Sequence, residues 1–194
     1  MPKPITELLA EQENQIVASE SIENGSEVVE TTSEAQEVQG YSSQQVIDLL
    51  KQSLNIHWQQ TTSLTAQAVH LERWGYKKLA AVIKEDAEEE HQHATANVER
   101  LEFFDVDYQP LVVNPPLWTR HDMVAMINYN LKSVQEAAAT ERATITAARA
   151  VGDEMTANMM IPLLQGSENG IRLYESYLKL IEQMGLDNFL TLQV

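Results

Sequence analysis

The stretch from Lys84 to Ala94 reads KEDAEEEHQHA. Within it Asp86, Glu90 and His93 stand at i, i+4 and i+7, the spacing that places three side chains on one face of a helix. Leu79, Val82 and Ile83 precede them on that face, Ala94, Leu101 and Phe104 follow, and Asn97 interrupts the apolar run. Three ionisable groups therefore sit in the middle of an apolar stripe. Burying an unpaired charge costs roughly several kcal/mol, so such groups are paired or bind a metal. Glu90-x-x-His93 sets a carboxylate and an imidazole one turn apart, both aimed at one point, as in metal sites built inside helix bundles.

Composition narrows the setting. The chain has 194 residues, 13 Lys and Arg against 29 Asp and Glu, and a net charge of −16. Such a chain repels nucleic acid and anionic membranes and attracts cations. It has no cysteine, which excludes disulfides, cysteine-held clusters and thiol chemistry. No apolar run approaches the roughly 18 residues of a membrane span, and no secretory leader pattern opens the chain, so a soluble cytoplasmic protein is expected.

Met1 to Gly40 stands apart, with nine Glu, one Lys and no aromatic residue. Rich in Ser, Thr, Gln and Glu, it reads as a disordered acidic arm. Thr6 can cap a short helix with Ile5, Leu8, Leu9, Ile16 and Val17 as a partial apolar face. The arm is then either a solvated tail or a docking peptide for a partner or assembly surface.

The folded part, 41–194, reads as helices throughout. Ser42-x-x-Gln45 is a capping box, and Leu49, Leu50, Leu54, Leu64, Ala68 and Leu71 follow the helical period to Trp74. Gly75 is a C-cap, and a second helix runs from about Tyr76 to Phe104, so tightly joined that the two must pack antiparallel. Asp105 to Thr119 holds Pro110, Pro115 and Pro116 and is not helical. Fifteen extended residues reach roughly 50 Å, enough to traverse a helix of about 42 Å. A third helix spans about Arg120 to Val151, Gly152 breaks it, and a fourth spans about Asp153 to Met184. Gly185 ends that one, and Leu186 to Leu190 make a short extra turn. Two antiparallel hairpins joined by one long crossover make an all-α, ferritin-like four-helix bundle with a short C-terminal helix.

Counting from the turns sharpens the metal reading. His57 lies 18 residues before Gly75, Glu90 15 after it and His93 18 after it, so antiparallel packing brings all three to one level. Two imidazoles with one carboxylate suit Fe(II), Mn(II) or Zn(II). Counted the same way from Gly152, the second hairpin offers Val134, Ser167 and Gly170, none of them a strong ligand. Glu136 and Glu168 are displaced by one or two residues, and a kink at Pro162 is the device that could turn Glu168 inward.

Val46 to Val194 resembles a bacterioferritin, within the ferritin and Dps superfamily. The resemblance rests on VIDLLKQSLN, RWGYKKLA at Arg73, the Glu-x-x-His followed by AxxxVERLEF, NMMI at Asn158 and LKLIEQMGLDNFL near the end. It implies a hollow homo-oligomeric shell, of 24 subunits rather than 12, that oxidises Fe(II) and stores ferric mineral. It places the family's di-iron ligands on His57, Glu90, His93, Val134, Ser167 and Gly170, where the family has glutamate first and glutamate, glutamate and histidine last. Only Glu90 and His93 match, so an incomplete, mono-iron or degenerate di-iron site is expected, with Asp86 and Glu168 as supplementary candidates. The family's haem-ligand methionine falls on His91, which stands either as a surface residue or as an axial haem ligand at a two-fold axis. His57-Trp58 also resembles the histidine–tryptophan pair of the Dps branch. Two functions follow: an iron-handling subunit with one metal per bundle, or a structural subunit that has lost its chemistry and co-assembles with an active paralogue.

Overall fold

A computed structural model describes residues 41–108 and 116–194. The expected acidic arm, Met1 to Gly40 with its Thr6-capped face, and the middle of the crossover, 109–115, lie outside the described residues. Helix α1 spans Ser43–Trp74, α2 Lys77–Phe103, α3 Met123–Ala150, α4 Glu154–Met184 and α5 Leu186–Thr191, with a 3₁₀ turn at Arg120–Asp122 before α3. None of the described helices is long and apolar enough to cross a membrane.

The ends are set by local chemistry. The Ser42 hydroxyl accepts from the Gln45 N–H while the Gln45 side chain accepts from the Ser42 N–H, a reciprocal capping box. Gly75 closes α1 at φ 92°, a left-handed conformation that glycine takes without a Cβ penalty. Thr119 and Asp122 form a second capping box where the crossover meets the 3₁₀ turn. Asp153 caps α4 by accepting from the Thr156 N–H. The Arg100 guanidinium reaches over from α2 to Asp153 at 2.6 Å and to Thr156 at 2.7 Å, while lying 4.4 Å and 4.6 Å from the Phe103 and Phe104 ring centres. That contact ties the end of α2 to the start of α4 and makes them antiparallel.

The register between hairpins follows from two pairs. His57 meets Glu141, and Gln67 meets Asn130 through two reciprocal amide hydrogen bonds of 2.8 and 2.7 Å. Rising along α1 is falling along α3, so these two helices also run antiparallel. Helix α5 folds back over the α1–α2 turn, where Lys78 donates to the carbonyls of Leu192 and Gln193 and Phe189 is fully buried.

The apolar core is in two parts. One, around Leu71, Leu79, Ile83, Met126, Ile127 and Tyr174, fills the α1–α2-turn end. The other, around Leu50, Leu54, Leu101, Ala147, Met160 and Leu163, fills the far end. Between them lies a buried polar layer with His57, Gln60, Glu90, His93, Glu141 and Ser167.

Candidate metal centre

Helix α1 brings His57 into the layer between the two apolar parts, and α2 brings Glu90 and His93. Their antiparallel packing, set by the tight turn at Gly75, puts them at one depth. His57 Nδ1 lies 2.5 Å from Glu90 Oε2, with His57 fully buried. His93 Nδ1 lies 3.6 Å from the same oxygen, and the two imidazoles stand edge to face at 5.1 Å. Among the described residues, His57, Glu90 and His93 form a buried group with donor atoms all within 4.8 Å of one another.

A third helix enters the site at a position the turn counting did not reach. Glu141 on α3, wholly buried, puts Oε1 3.2 Å from His57 Nε2, an ionic contact outside hydrogen-bond geometry. Ser167 on α4 donates to that same Oε1 at 3.1 Å. A polar chain thus crosses all four long helices: Ser167, Glu141, His57, Glu90.

Charge follows from this arrangement. Burial alone would drive the His57 imidazole down, but the flanking Glu141 and Glu90 outweigh it and hold the group up at about 9. Burial alone would raise Glu90, but contact with His57 and His93 holds it down at about 2. The arrangement favours the protonated form of His57, which faces an acidic side chain at each ring nitrogen.

The other expected site residues fall elsewhere. Asp86 is one turn before Glu90 and accepts from the Tyr174 hydroxyl at 2.6 Å, outside the histidine group. Burial raises its carboxyl to about 6 against the pull of that hydrogen bond, with the charge of Glu90 adding to the rise. Glu168 does not turn inward: it pairs with Arg142 at 2.7 Å on the surface. Helix α4 runs unbroken through Pro162, which is exposed, as is Asn158, whose carbonyl loses its partner to the proline and can bond to water. Residue 168 therefore keeps its register beside the inward Ser167. Glu136 is likewise outward, 3.8 Å from Lys132. His91 is exposed and packs against Trp58 at 5.5 Å. It borders an open groove of about 660 Å³ on the outer face of α1 and α2 that includes none of His57, Glu90 and His93.

Access comes from the α2–α4 side. A cavity of about 280 Å³ runs to Glu90 past Asp86, Glu89, Gly166, Asn169 and Gly170, with Glu89 and Asn169 exposed at its rim. A Cβ on Gly166 would stand 2.7 Å from Glu89 Oε1 and 2.8 Å from His93 Cε1, so this glycine leaves room for the two side chains.

The donors fit a divalent metal. Two imidazoles and a carboxylate are a donor set that binds such an ion at about 2.0–2.2 Å. His93 Nδ1 is buried without a hydrogen-bond partner, so this nitrogen has no protein group to give up on binding an ion.

The ferritin-like domain family matches residues 47–184. The chain belongs to this ferritin-like family. Bacterioferritin of Brucella melitensis is 26% identical to it over 119 residues, covering 61% of this chain and 73% of that protein. Against the ferritin-like pattern read from sequence, the second hairpin presents Val134, Ser167 and Gly170. A Cβ on Gly170 would stand 3.2 Å from Val134, and the Ser167 hydroxyl is engaged with Glu141. A buried carboxylate does enter from α3, at Glu141, two turns along the same inward face from Val134.

Proposed function

We propose that this chain is an iron-handling ferritin-like subunit that binds one divalent metal per bundle through His57, Glu90 and His93. It takes part in Fe(II) binding, oxidation or storage as a divergent bacterioferritin-type protein. The observation that carries this reading is the convergence of two imidazoles and a carboxylate in the polar layer, with His93 Nδ1 unpartnered. A bound metal there supplies a Lewis acid and, as iron, a redox centre. The chain's own residues supply the donors, the acidic approach past Asp86 and Glu89, and apolar walls above and below. With the family resemblance, the reading extends to a cytoplasmic homo-oligomeric shell, with the acidic arm as a solvated tail or a docking segment.

One observation favours a second reading, a structural subunit co-assembling with an active paralogue. His57 already stands between Glu90 and Glu141, so each buried carboxylate has a basic partner without an ion.

Metal analysis of purified protein, followed by anaerobic Fe(II) addition and exposure to air, separates the two. The first reading predicts about one metal per chain, lost in His93→Ala, and Fe(II) oxidation faster than in buffer. Metal-free protein with an oxidation rate equal to buffer overturns it and leaves the structural subunit.

A further inference from the structure

We propose that Glu141, through its contact with His57 Nε2, is the positioning residue of the metal centre: it keeps the proton on Nε2 and presents Nδ1 to the ion. The proposal rests on the metal reading above and deepens it. Nothing in the Gly152 count points to residue 141, and the family resemblance assigns it no role.

Three observations carry it. The two nitrogens of His57 face opposite ways, Nδ1 to Glu90 at 2.5 Å and Nε2 to Glu141 at 3.2 Å. A neutral imidazole has one donor nitrogen and one acceptor nitrogen, and the hydrogen bond made by one decides which is free for a metal. Glu141 falls outside the group of close donor atoms formed by His57, Glu90 and His93, so its carboxylate acts from behind the ring. Its position is held in turn: Ser167 donates to Glu141 Oε1 at 3.1 Å, and both residues are fully buried. In the metal-free protein Nδ1 holds the hydrogen bond to Glu90 and Nε2 has the ionic contact alone; on the proposal the ring turns to donate Nε2–H to Glu141 when Nδ1 takes the ion. A carboxylate behind a ligating histidine also raises the basicity of the nitrogen that faces the metal. Ser167 therefore has a function of its own here: at a position where the family pattern has a ligand, this chain has the donor that anchors Glu141.

The test is Zn(II) titration of the full chain, wild type beside Glu141→Leu, Glu141→Gln and Ser167→Ala, with thermal melts of each. Zn(II) is used because it binds the same donors without redox chemistry. Glu141→Leu removes the acceptor and is expected to weaken Zn(II) binding by about 10–100-fold. Glu141→Gln keeps an oxygen facing Nε2 and is expected to restore most of that loss, a recovery that simple loss of charge would not give. Ser167→Ala gives a smaller loss. A Zn-edge anomalous map of the wild type should place the ion on the Nδ1 side of His57. An ion between Nε2 and Glu141 overturns the proposal, as does a Zn(II) affinity unchanged in Glu141→Leu; should that variant not fold, an affinity unchanged in Ser167→Ala together with a Glu141→Gln loss as large as 100-fold overturns it too. Wild-type protein that binds no Zn(II) sinks the metal reading itself, an outcome distinct from tight binding indifferent to residue 141.

Discussion

The carboxylate of Glu90 lies 2.5 Å from the imidazole of His57, although they are 33 residues apart in the chain and both are buried. Removing either partner strands the other in a low-dielectric layer. His57→Leu is therefore expected to destabilise the metal-free protein by about 3–5 kcal/mol, because Glu90 and Glu141 are left facing each other uncompensated. The triple variant His57→Leu, Glu90→Gln, Glu141→Gln should recover much of this loss. Urea unfolding at pH 7 measures both, and a single variant as stable as wild type would contradict the account.

Stability should vary with pH in a defined window. The folded His57 value, about 9, is above the ordinary 6.5, so its contribution is fully present below pH 6.5 and is lost as pH rises through 9. The folded Glu90 value, about 2, is below the ordinary 4.5, so its contribution is present above pH 4.5 and is lost as pH falls towards 2. Denaturant midpoints of metal-free protein across pH 3 to 10 check this. A midpoint that stays flat from pH 7 to 10 would contradict the His57 part.

Asp86 works in the opposite sense. Its folded value, about 6, is above the ordinary 3.8, so ionising it in the folded state costs stability as pH rises from 3.8 through 6. Asp86→Asn keeps an acceptor for the Tyr174 hydroxyl and removes that cost. It is expected to be more stable than wild type above pH 6, by on the order of 2 kcal/mol, and nearly equal to it below pH 4. Unfolding curves at pH 3.5 and pH 7.5 separate the two regimes.

Gly166→Ala would ordinarily stabilise a helix interior by roughly 0.5–1 kcal/mol. Here the added Cβ meets the buried His93 ring at 2.8 Å and the Glu89 carboxylate at 2.7 Å. Glu89 is half-exposed and can swing away, but His93 must shift. The expected outcome is weaker Zn(II) binding with little or none of the helix gain, read by titration and thermal melting together. Unchanged affinity would show that Gly166 does not set the place of His93.

The bundle was largely legible in the chain because its ends are written locally: Ser42, Gly75, Gly152 and Gly185 mark where helices start and stop. The level of His57 with Glu90 and His93 was legible for the same reason, since one tight turn fixes the register of α1 on α2. Glu141 was not, because no short loop sets α1 against α3. Their register comes from side-chain packing after a long crossover, including the Gln67–Asn130 amide pair. The signal was present all the same. Glu141 is the one charged residue in the inward stripe Val134, Ala137, Ala138, Thr144, Ala148. Glu168 keeps the outward direction that an unbroken helix gives it, because Pro162 does not kink α4: the lost hydrogen bond faces solvent.

The most direct test of the central claim is a crystal of the protein soaked in Zn(II), with anomalous data collected at the zinc edge. The account predicts one strong peak per chain in the polar layer, about 2.0–2.2 Å from His57 Nδ1, a Glu90 oxygen and a His93 ring nitrogen. No peak there, with zinc confined to surface carboxylates, would contradict it.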